Sequence, residues 1–183
     1  MLRFMDVIFA LFGLLIGMPI FFLLFLIGFI DTGSPLFLQV RVGRYKKPFV
    51  LVKFRTMRKD TLSVATHLVN PAMVTKFGAF LRKSKLDELP QLWNVLKGEM
   101  SLVGPRPCLF NQEVLIAERD SRRVFEARPG ITGLAQIRGV DMSTPALLAE
   151  IDALMLDQLR ASNYLGLILK TVFGSGRGDR VRF

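Results

Sequence analysis

The run VIFALFGLLIGMPIFFLLFLIGFI, residues 7–30, contains 24 residues without one charged side chain. It is too long for the apolar core of a signal peptide, and no small-residue cleavage site follows it. As one straight helix the run would be about 36 Å long, whereas the hydrocarbon core of a bilayer is about 30 Å thick. The sequence therefore predicts a membrane segment near the N-terminus.

Pro19 lies near the middle of this run, two residues after Gly17. Its ring crowds the carbonyl of Leu15 and it lacks a backbone donor, so a kink is expected there. Two half-helices, each about 18 Å long, could enter one leaflet and turn back out. From these residues alone, a spanning anchor and a re-entrant anchor are both open.

The charge of the chain points to anionic partners. Its 183 residues, the length of one domain, have a net charge of +10, which suits nucleic acid, anionic lipid or phosphorylated small molecules. Between residues 41 and 59 there are eight basic residues and no acidic one. By the positive-inside rule, this cluster places the soluble part on the cytoplasmic face of the membrane.

The chain has one cysteine, Cys108, and one histidine, His67. Neither an intrachain disulfide nor a Cys/His zinc site can be built from them. A bound metal would have to take oxygen ligands, which favours Mg²⁺ or Mn²⁺.

The residues after the membrane segment predict an α+β domain that is mostly helical. Residues 48–57, PFVLVKFRTM, have the β-branched and aromatic content of a strand. Residues 87–96 predict a helix ended by Gly98, and Thr144-Pro145 predicts the start of another. Residues 164–173 are apolar nearly all round, which is typical of a core helix or of one at the bilayer interface.

Two acids stand side by side in KLDELPQLWN, residues 85–94. Asp87 could be only a helix cap and Glu88 a first-turn acid, stabilised by the helix dipole. The alternative is a reaction centre, since Arg82, Lys83 and Lys85 supply positive charge directly upstream.

Two stiff turns carry further arginines. Prolines 105 and 107 fix the backbone on both sides of Arg106, which suits an arginine that presents its donors to a phosphate. The stretch ARPGITGLAQIRG, residues 127–139, carries Arg128. Neither stretch is a Walker or dinucleotide-binding glycine motif.

These parts suggest phosphoryl transfer, in which positioning and charge neutralisation dominate. A carboxylate is ionised near pH 7 and can act as a nucleophile without a general base, which suits a chain with one histidine. Two alternatives are open: a non-enzymatic, membrane-anchored basic module that binds anionic lipid or RNA, and a lipid-phosphate hydrolase. The aromatic residues are mostly Phe within apolar runs and form no evident stacking platform for bases.

Three motifs in this order, KFRTM (53–57), LRKSKLDELPQLWNVLKGEMSLVGPRP (81–107) and RPGITGLAQIRG (128–139), closely resemble the bacterial sugar transferase family. These are monotopic polyprenyl-phosphate phosphoglycosyl transferases. The likeness covers residues 3–173, and the chain resembles a minimal member that consists of the catalytic core.

The resemblance implies transfer of a sugar 1-phosphate from a UDP-sugar, with an N-acetylated amino sugar favoured, to undecaprenyl phosphate. UMP is released in this first membrane step of surface glycan synthesis, in a lipopolysaccharide or capsule pathway. The implied cofactor is Mg²⁺, with Mn²⁺ as a substitute. The implied partners are the two substrates and the lipids of the bacterial inner membrane, with no nucleic acid, and the oligomeric state is left open.

The resemblance also implies roles for single residues. Asp87 matches the family's nucleophile, which forms a covalent phosphosugar intermediate, and Glu88 matches its magnesium-associated glutamate. Positions that bind substrate phosphates are matched by Lys53, Arg82 and Arg106. The further candidate site residues are Arg55, Arg128 and Asp152.

The family's membrane helix is re-entrant and broken at a proline that matches Pro19, so the resemblance favours a re-entrant anchor here. The family often has Ser before that proline, where this chain has Met18. The expected domains are a re-entrant helix over 1–32, a catalytic domain over 33–173 and a basic tail over 174–183.

Overall fold

The computed structural model describes residues 1–61 and 71–173 and has a mostly helical α+β fold. The tail expected over 174–183 lies outside the described residues, as do residues 62–70. The helices and strands are α1 (Leu2–Thr32), β1 (Leu36–Val42), β2 (Pro48–Phe54), α2 (Lys76–Ser84), α3 (Gln91–Lys97), β3 (Ser101–Val103), α4 (Glu113–Ser121), β4 (Gly130–Thr132), α5 (Leu134–Arg138), α6 (Pro145–Asp157) and α7 (Ala161–Val172).

The predicted membrane segment is one helix, α1, of 31 residues. It is long and apolar enough to cross a membrane, and Gly33 ends it in the left-handed conformation. Pro19 lies inside the helix, which continues on both sides of it. The break expected at Pro19 is therefore not confirmed.

One face of α1 packs against the rest of the chain along nearly its whole length. Ala10 is buried in the first half of the helix, and Leu24 and Gly28 are buried in the second half. Between them, added Cβ atoms at Gly13 and Gly17 would meet the side chains of Leu92 and Leu89. The other face is apolar and exposed, with large side chains such as those of Phe12, Leu15, Phe22 and Leu26.

Polar contacts fix the start of α1. The buried carboxylate of Asp6 accepts hydrogen bonds from Ser101 Oγ at 2.8 Å, from the Leu102 N–H at 2.8 Å and from the Tyr164 hydroxyl at 2.6 Å. Burial and the adjacent carboxylate raise the pKa of Tyr164. The Arg3 guanidinium donates to the carbonyls at the end of α3, at 2.7 Å for Val95 and 3.0 Å for Leu96. We call these contacts of Arg3 and Asp6 the N-terminal clasp.

Strands β1 and β2 form an antiparallel hairpin that pairs Leu36 with Phe54 and Val42 with Pro48. The strand predicted over 48–57 is confirmed for 48–54. Its partner β1 was not predicted, although it too is rich in Leu and Val. The buried face of the hairpin carries three polar side chains, those of Gln39, Arg41 and Lys53.

A second, parallel pair joins β3 to β4, with Ser101 opposite Gly130 and Val103 opposite Thr132. The backbone of β4 and the backbone just after β3 approach so closely that a Cβ added at Gly130 would lie 2.0 Å from the Gly104 nitrogen. This contact brings together the two stiff turns recognised in the sequence, because each turn adjoins one of these strands.

The predicted helix boundaries are largely confirmed. Pro145 begins α6 directly after Thr144, and Gly98 ends α3 with a φ of 82°. The helix expected from Asp87 is divided, since residues 86–88 form a separate 3₁₀ turn before α3 begins at Gln91. Helix α7 packs in the core at Tyr164 and Leu167, and residues towards its end, such as Leu169 and Val172, are exposed. Its place at the bilayer interface stays a prediction.

Replacing Gly78 with alanine is expected to destabilise the protein. Its added Cβ would lie 2.0 Å from the Thr56 carbonyl oxygen, so α2 would have to move away from the backbone that follows β2. Overpacking of this kind typically costs about 1–3 kcal/mol. The apparent Tm of Gly78→Ala, measured in one detergent by circular dichroism, should fall well below that of the wild type.

Gly166→Ala is the matched control. Gly166 is also inside a helix, but a Cβ there would meet nothing within 4 Å. Alanine is favoured over glycine in a helix by about 0.5–1 kcal/mol, so the Tm should stay or rise. Equal Tm values for the Gly78 variant and the wild type would contradict the packing described.

Candidate active site

The two adjacent acids lie in a tight turn between α2 and α3. Lys85 ends α2 in the left-handed conformation, with a φ of 60°, and residues 86–88 form the 3₁₀ turn. The Glu88 N–H donates to the Lys85 carbonyl at 3.2 Å. Asp87 is only 4% exposed, so it is not the solvated cap that the alternative interpretation required. We call residues 85–88 the dyad turn.

Glu88 pairs with Arg106. One Glu88 carboxylate oxygen lies 2.9 Å from Arg106 Nη2, and the two side chains are 14% and 24% exposed. The sequence predicted both residues for the site, and the structure brings them together. Because both remain partly exposed, the arginine can be shared with an incoming anion.

Two further predicted cations lie on elements that pack against the dyad turn. Lys53 is a buried residue of β2, and Arg82 belongs to the last turn of α2; both elements contact residues 86–88. Arg82 Nε donates to the Thr56 hydroxyl at 2.9 Å, while Lys53 Nζ lies 5.5 Å from the centre of the Phe37 ring. Arg106 thus contacts the dyad turn directly, while Lys53 and Arg82 lie on the two elements that pack against it.

Arg55 and Arg128 bind backbone carbonyls. Arg55 donates to Ser34 at 3.0 Å and to Leu36 at 3.3 Å, at the start of the hairpin. Arg128 Nε donates to the Gly98 carbonyl at 2.8 Å, at the end of α3. Through these hydrogen bonds Arg55 and Arg128 hold backbone segments in place, and neither residue contacts the dyad turn through them.

Asp152 is completely buried in α6 and pairs with Arg119 of α4. Arg119 Nε and Nη2 lie 3.0 Å and 2.7 Å from the same carboxylate oxygen. Burial raises the pKa of Asp152, and the positive charge of Arg119 opposes this rise. The third nitrogen, Nη1, donates to the Arg106 carbonyl at 2.8 Å.

Sequence reasoning missed Arg119, and no local signal could have found it. It stands in the charged stretch AERDSRR, which is typical of a solvated helix, whereas the structure leaves it 1% exposed. Thr56, the partner of Arg82, was likewise missed, although it lies inside the motif KFRTM. Cys108 is buried beside Arg119, and burial raises the pKa of its thiol, which suits an inert core residue.

Within residues 1–61 and 71–173 there is no cluster of three or more His, Cys, Asp or Glu side chains that could hold a metal ion. Asp87 and Glu88 together supply two adjacent carboxylates. That donor set fits Mg²⁺ bound by one or two protein carboxylates and completed by phosphate and water, and it does not fit an all-protein cage.

Similar proteins identify the chain. A model of the bacterial sugar transferase family matches residues 1–177. The uncharacterized sugar transferase EpsL of Bacillus subtilis (strain 168) is 46% identical over 129 residues, which are 70% of this chain and 63% of EpsL. The UDP-glucose:undecaprenyl-phosphate glucose-1-phosphate transferase of Caulobacter vibrioides is 39% identical over 153 residues, 78% of this chain and 57% of that protein.

The exopolysaccharide production protein ExoY of Rhizobium meliloti is 35% identical over 190 residues, 93% of this chain and 83% of ExoY. The chain thus spans most of ExoY but less than two thirds of the other two relatives. The resemblance read from the three sequence motifs is confirmed: the chain belongs to the bacterial sugar transferase family.

Proposed function

We propose that the protein is a phosphoglycosyl transferase that moves a sugar 1-phosphate from a UDP-sugar to undecaprenyl phosphate and releases UMP. The observation that carries this proposal is a buried aspartate, Asp87, beside the Glu88–Arg106 pair in a chain of this family. A relative is named for glucose-1-phosphate transfer from UDP-glucose to undecaprenyl phosphate. Another is named a putative undecaprenyl-phosphate N-acetylgalactosaminyl 1-phosphate transferase, and a third a UDP-galactose-lipid carrier transferase. The N-acetylated amino sugar is proposed here among the donors that these names include.

In the first step, an Asp87 carboxylate oxygen attacks the phosphorus that bears the sugar. A new P–O bond forms, the bond to the bridging oxygen of the diphosphate breaks, and UMP leaves with that electron pair. In the second step, an oxygen of undecaprenyl phosphate attacks the same phosphorus and releases the Asp87 carboxylate. The products are UMP and undecaprenyl diphosphate sugar, and no group is oxidised or reduced.

The surrounding cations would bind the charges that move in these steps. A diphosphate and a lipid phosphate both bring negative charge to a carboxylate, which repels them unless positive side chains compensate. Lys53, Arg82 and Arg106 come from three elements around the dyad turn. A module that only bound anions would gain nothing from burying Asp87 beside the Glu88–Arg106 pair.

Glu88, with Asp87 beside it, would hold Mg²⁺ or Mn²⁺ together with the substrate diphosphate. Such an ion neutralises phosphate charge and makes UMP a better leaving group. The protein's own part is to keep the Glu88 carboxylate oriented, which its bond from Arg106 does.

The packing of α1 supports a re-entrant or in-plane anchor in place of a spanning one. A straight helix of this length is about 46 Å long, so a spanning α1 would put its two ends on opposite sides of the bilayer. Here Arg3 near one end contacts the end of α3, while Gly28 near the other end lies against Pro35 and Phe77. One domain thus touches both ends, which supports a monotopic protein at the cytoplasmic face of the inner membrane.

Asp87→Asn should abolish turnover. The amide keeps the shape of the side chain but is a poor nucleophile, so UMP release should fall by roughly 10⁴-fold or more. The measurement is UMP release from a panel of UDP-sugars with undecaprenyl phosphate, beside intact-protein mass spectrometry without the lipid. The wild type should gain the mass of one sugar phosphate, and the variant should gain none.

Asp157→Asn, on the exposed end of α6, is the control and should behave as the wild type. Undiminished UMP release by the Asp87 variant would refute the assigned nucleophile.

Removal of divalent ions with EDTA should stop UMP release, and Mg²⁺ should restore it. Glu88→Gln removes a charged ligand, so the Mg²⁺ concentration that gives half-maximal rate should rise at least about tenfold. Glu150→Gln, an exposed position on α6, should leave that concentration unchanged. Full activity of metal-free enzyme would count against the Mg²⁺ site.

A protease-cleavable tag before Met1 should be cut from the cytoplasmic side of the membrane, in inverted vesicles, together with a tag after Phe183. The reason is that one domain contacts both ends of α1. Cleavage of the first tag only in spheroplasts, from the periplasmic side, would establish a spanning helix.

A further inference from the structure

Arg119 stands at the centre of a buried polar chain that ends at the dyad turn. Its guanidinium uses two nitrogens on Asp152 and the third on the Arg106 carbonyl, at 2.8 Å. The side chain of that same Arg106 reaches Glu88 at 2.9 Å. Helices α6 and α4 and the loop after β3 are thereby linked to the dyad turn.

The stability of the fold does not explain this ion pair. The side chains of Arg119 and Asp152 are 2% and 1% exposed, so both charges have lost their water. A buried ion pair is often no more stable than two apolar side chains of similar volume. An apolar pair, however, could not donate a hydrogen bond to the Arg106 carbonyl.

The Arg106 carbonyl is a point at which the backbone of the loop after β3 can still rotate. The rings of Pro105 and Pro107 fix φ on either side of Arg106, but the peptide planes can still rotate about ψ. Arg119 holds the carbonyl of Arg106, and the Gly130 N–H holds the carbonyl of Pro105 at 2.9 Å. With the peptide planes on both sides of Arg106 held, the direction in which its side chain leaves the backbone is set.

We infer that Arg119 and Asp152 are positioning residues for the transfer reaction, acting on Arg106 through its backbone carbonyl without touching the substrate. Asp152 orients the Arg119 fork, and the fork fixes the loop. This inference rests on the proposed function, in which Arg106 binds substrate phosphate and orients Glu88. It replaces the expectation that Asp152 is an acid of the site itself.

The test is a double-mutant cycle on the full chain in detergent, with kcat/KM for UMP release as the measurement. The donor is whichever UDP-sugar gives the wild type its highest rate, with undecaprenyl phosphate as acceptor. Arg119→Lys keeps the charge but lacks the fork, so kcat/KM should fall about 100-fold, as expected for a displaced group. Arg106→Gln should cause a comparable or larger loss.

The variant that combines Arg119→Lys with Arg106→Gln distinguishes a positioning role of Arg119 from a purely structural one. If Arg119 acts through Arg106, adding Arg119→Lys to Arg106→Gln should change kcat/KM by less than about twofold. Losses that multiply in the combined variant would overturn the inference. Arg122, exposed directly after the end of α4, pairs with Glu118, so Arg122→Met is the matched control and should match the wild type.

A second variant tests whether the loss of activity could come from loss of folding stability. Arg119→Met with Asp152→Leu removes both buried charges and should keep the wild-type Tm, yet its kcat/KM should stay about 100-fold down. Restored activity in this apolar pair would show a merely structural role. Wild-type activity of Arg106→Gln would overturn the inference and the role proposed for Arg106 together, while activity of Asp87→Asn would overturn the proposed nucleophile alone.

Discussion

The arrangement of the molecule depends on one buried carboxylate, that of Asp6. In a membrane the apolar surface of α1 gains nothing from one rotation over another, because lipid tails and apolar side chains are equivalent surroundings. Three donors from β3 and α7 meet Asp6, and they remove this freedom. These hydrogen bonds therefore fix the rotation of α1 together with the packing of its buried face.

The clasp acts on the site through α3. The carbonyls at the end of this helix accept bonds from Arg3 and, at Gly98, from Arg128, where positive charge also complements the helix dipole. The other end of α3 adjoins the dyad turn. The seven residues of α3 thus connect the N-terminal clasp to the dyad turn, so the position of the two acids relative to α1 follows from where Arg3 is held.

The features that the sequence predicted have local causes. Thr144-Pro145 and Gly98 mark helix ends because their backbone preferences act within one turn, and the dyad was recognisable because its basic neighbours are adjacent in the chain. The pairing of Arg119 with Asp152 joins residues 33 positions apart, and nothing in either neighbourhood signals it. The interruption between Asp87 and Gln91 was also missed, because a 3₁₀ turn and the start of an α-helix share the same residue preferences.

The distance along the chain between Asp6 and Tyr164, 158 residues, has a consequence for biosynthesis. A ribosome adds roughly 5–20 residues per second, so α1 is made many seconds before α7 exists. During that interval α1 lacks the hydroxyl that completes its fixation. The α3 carbonyls and the β3 donors are translated before that hydroxyl, so they can hold the nascent helix first, and its fixation is completed only when α7 has been made.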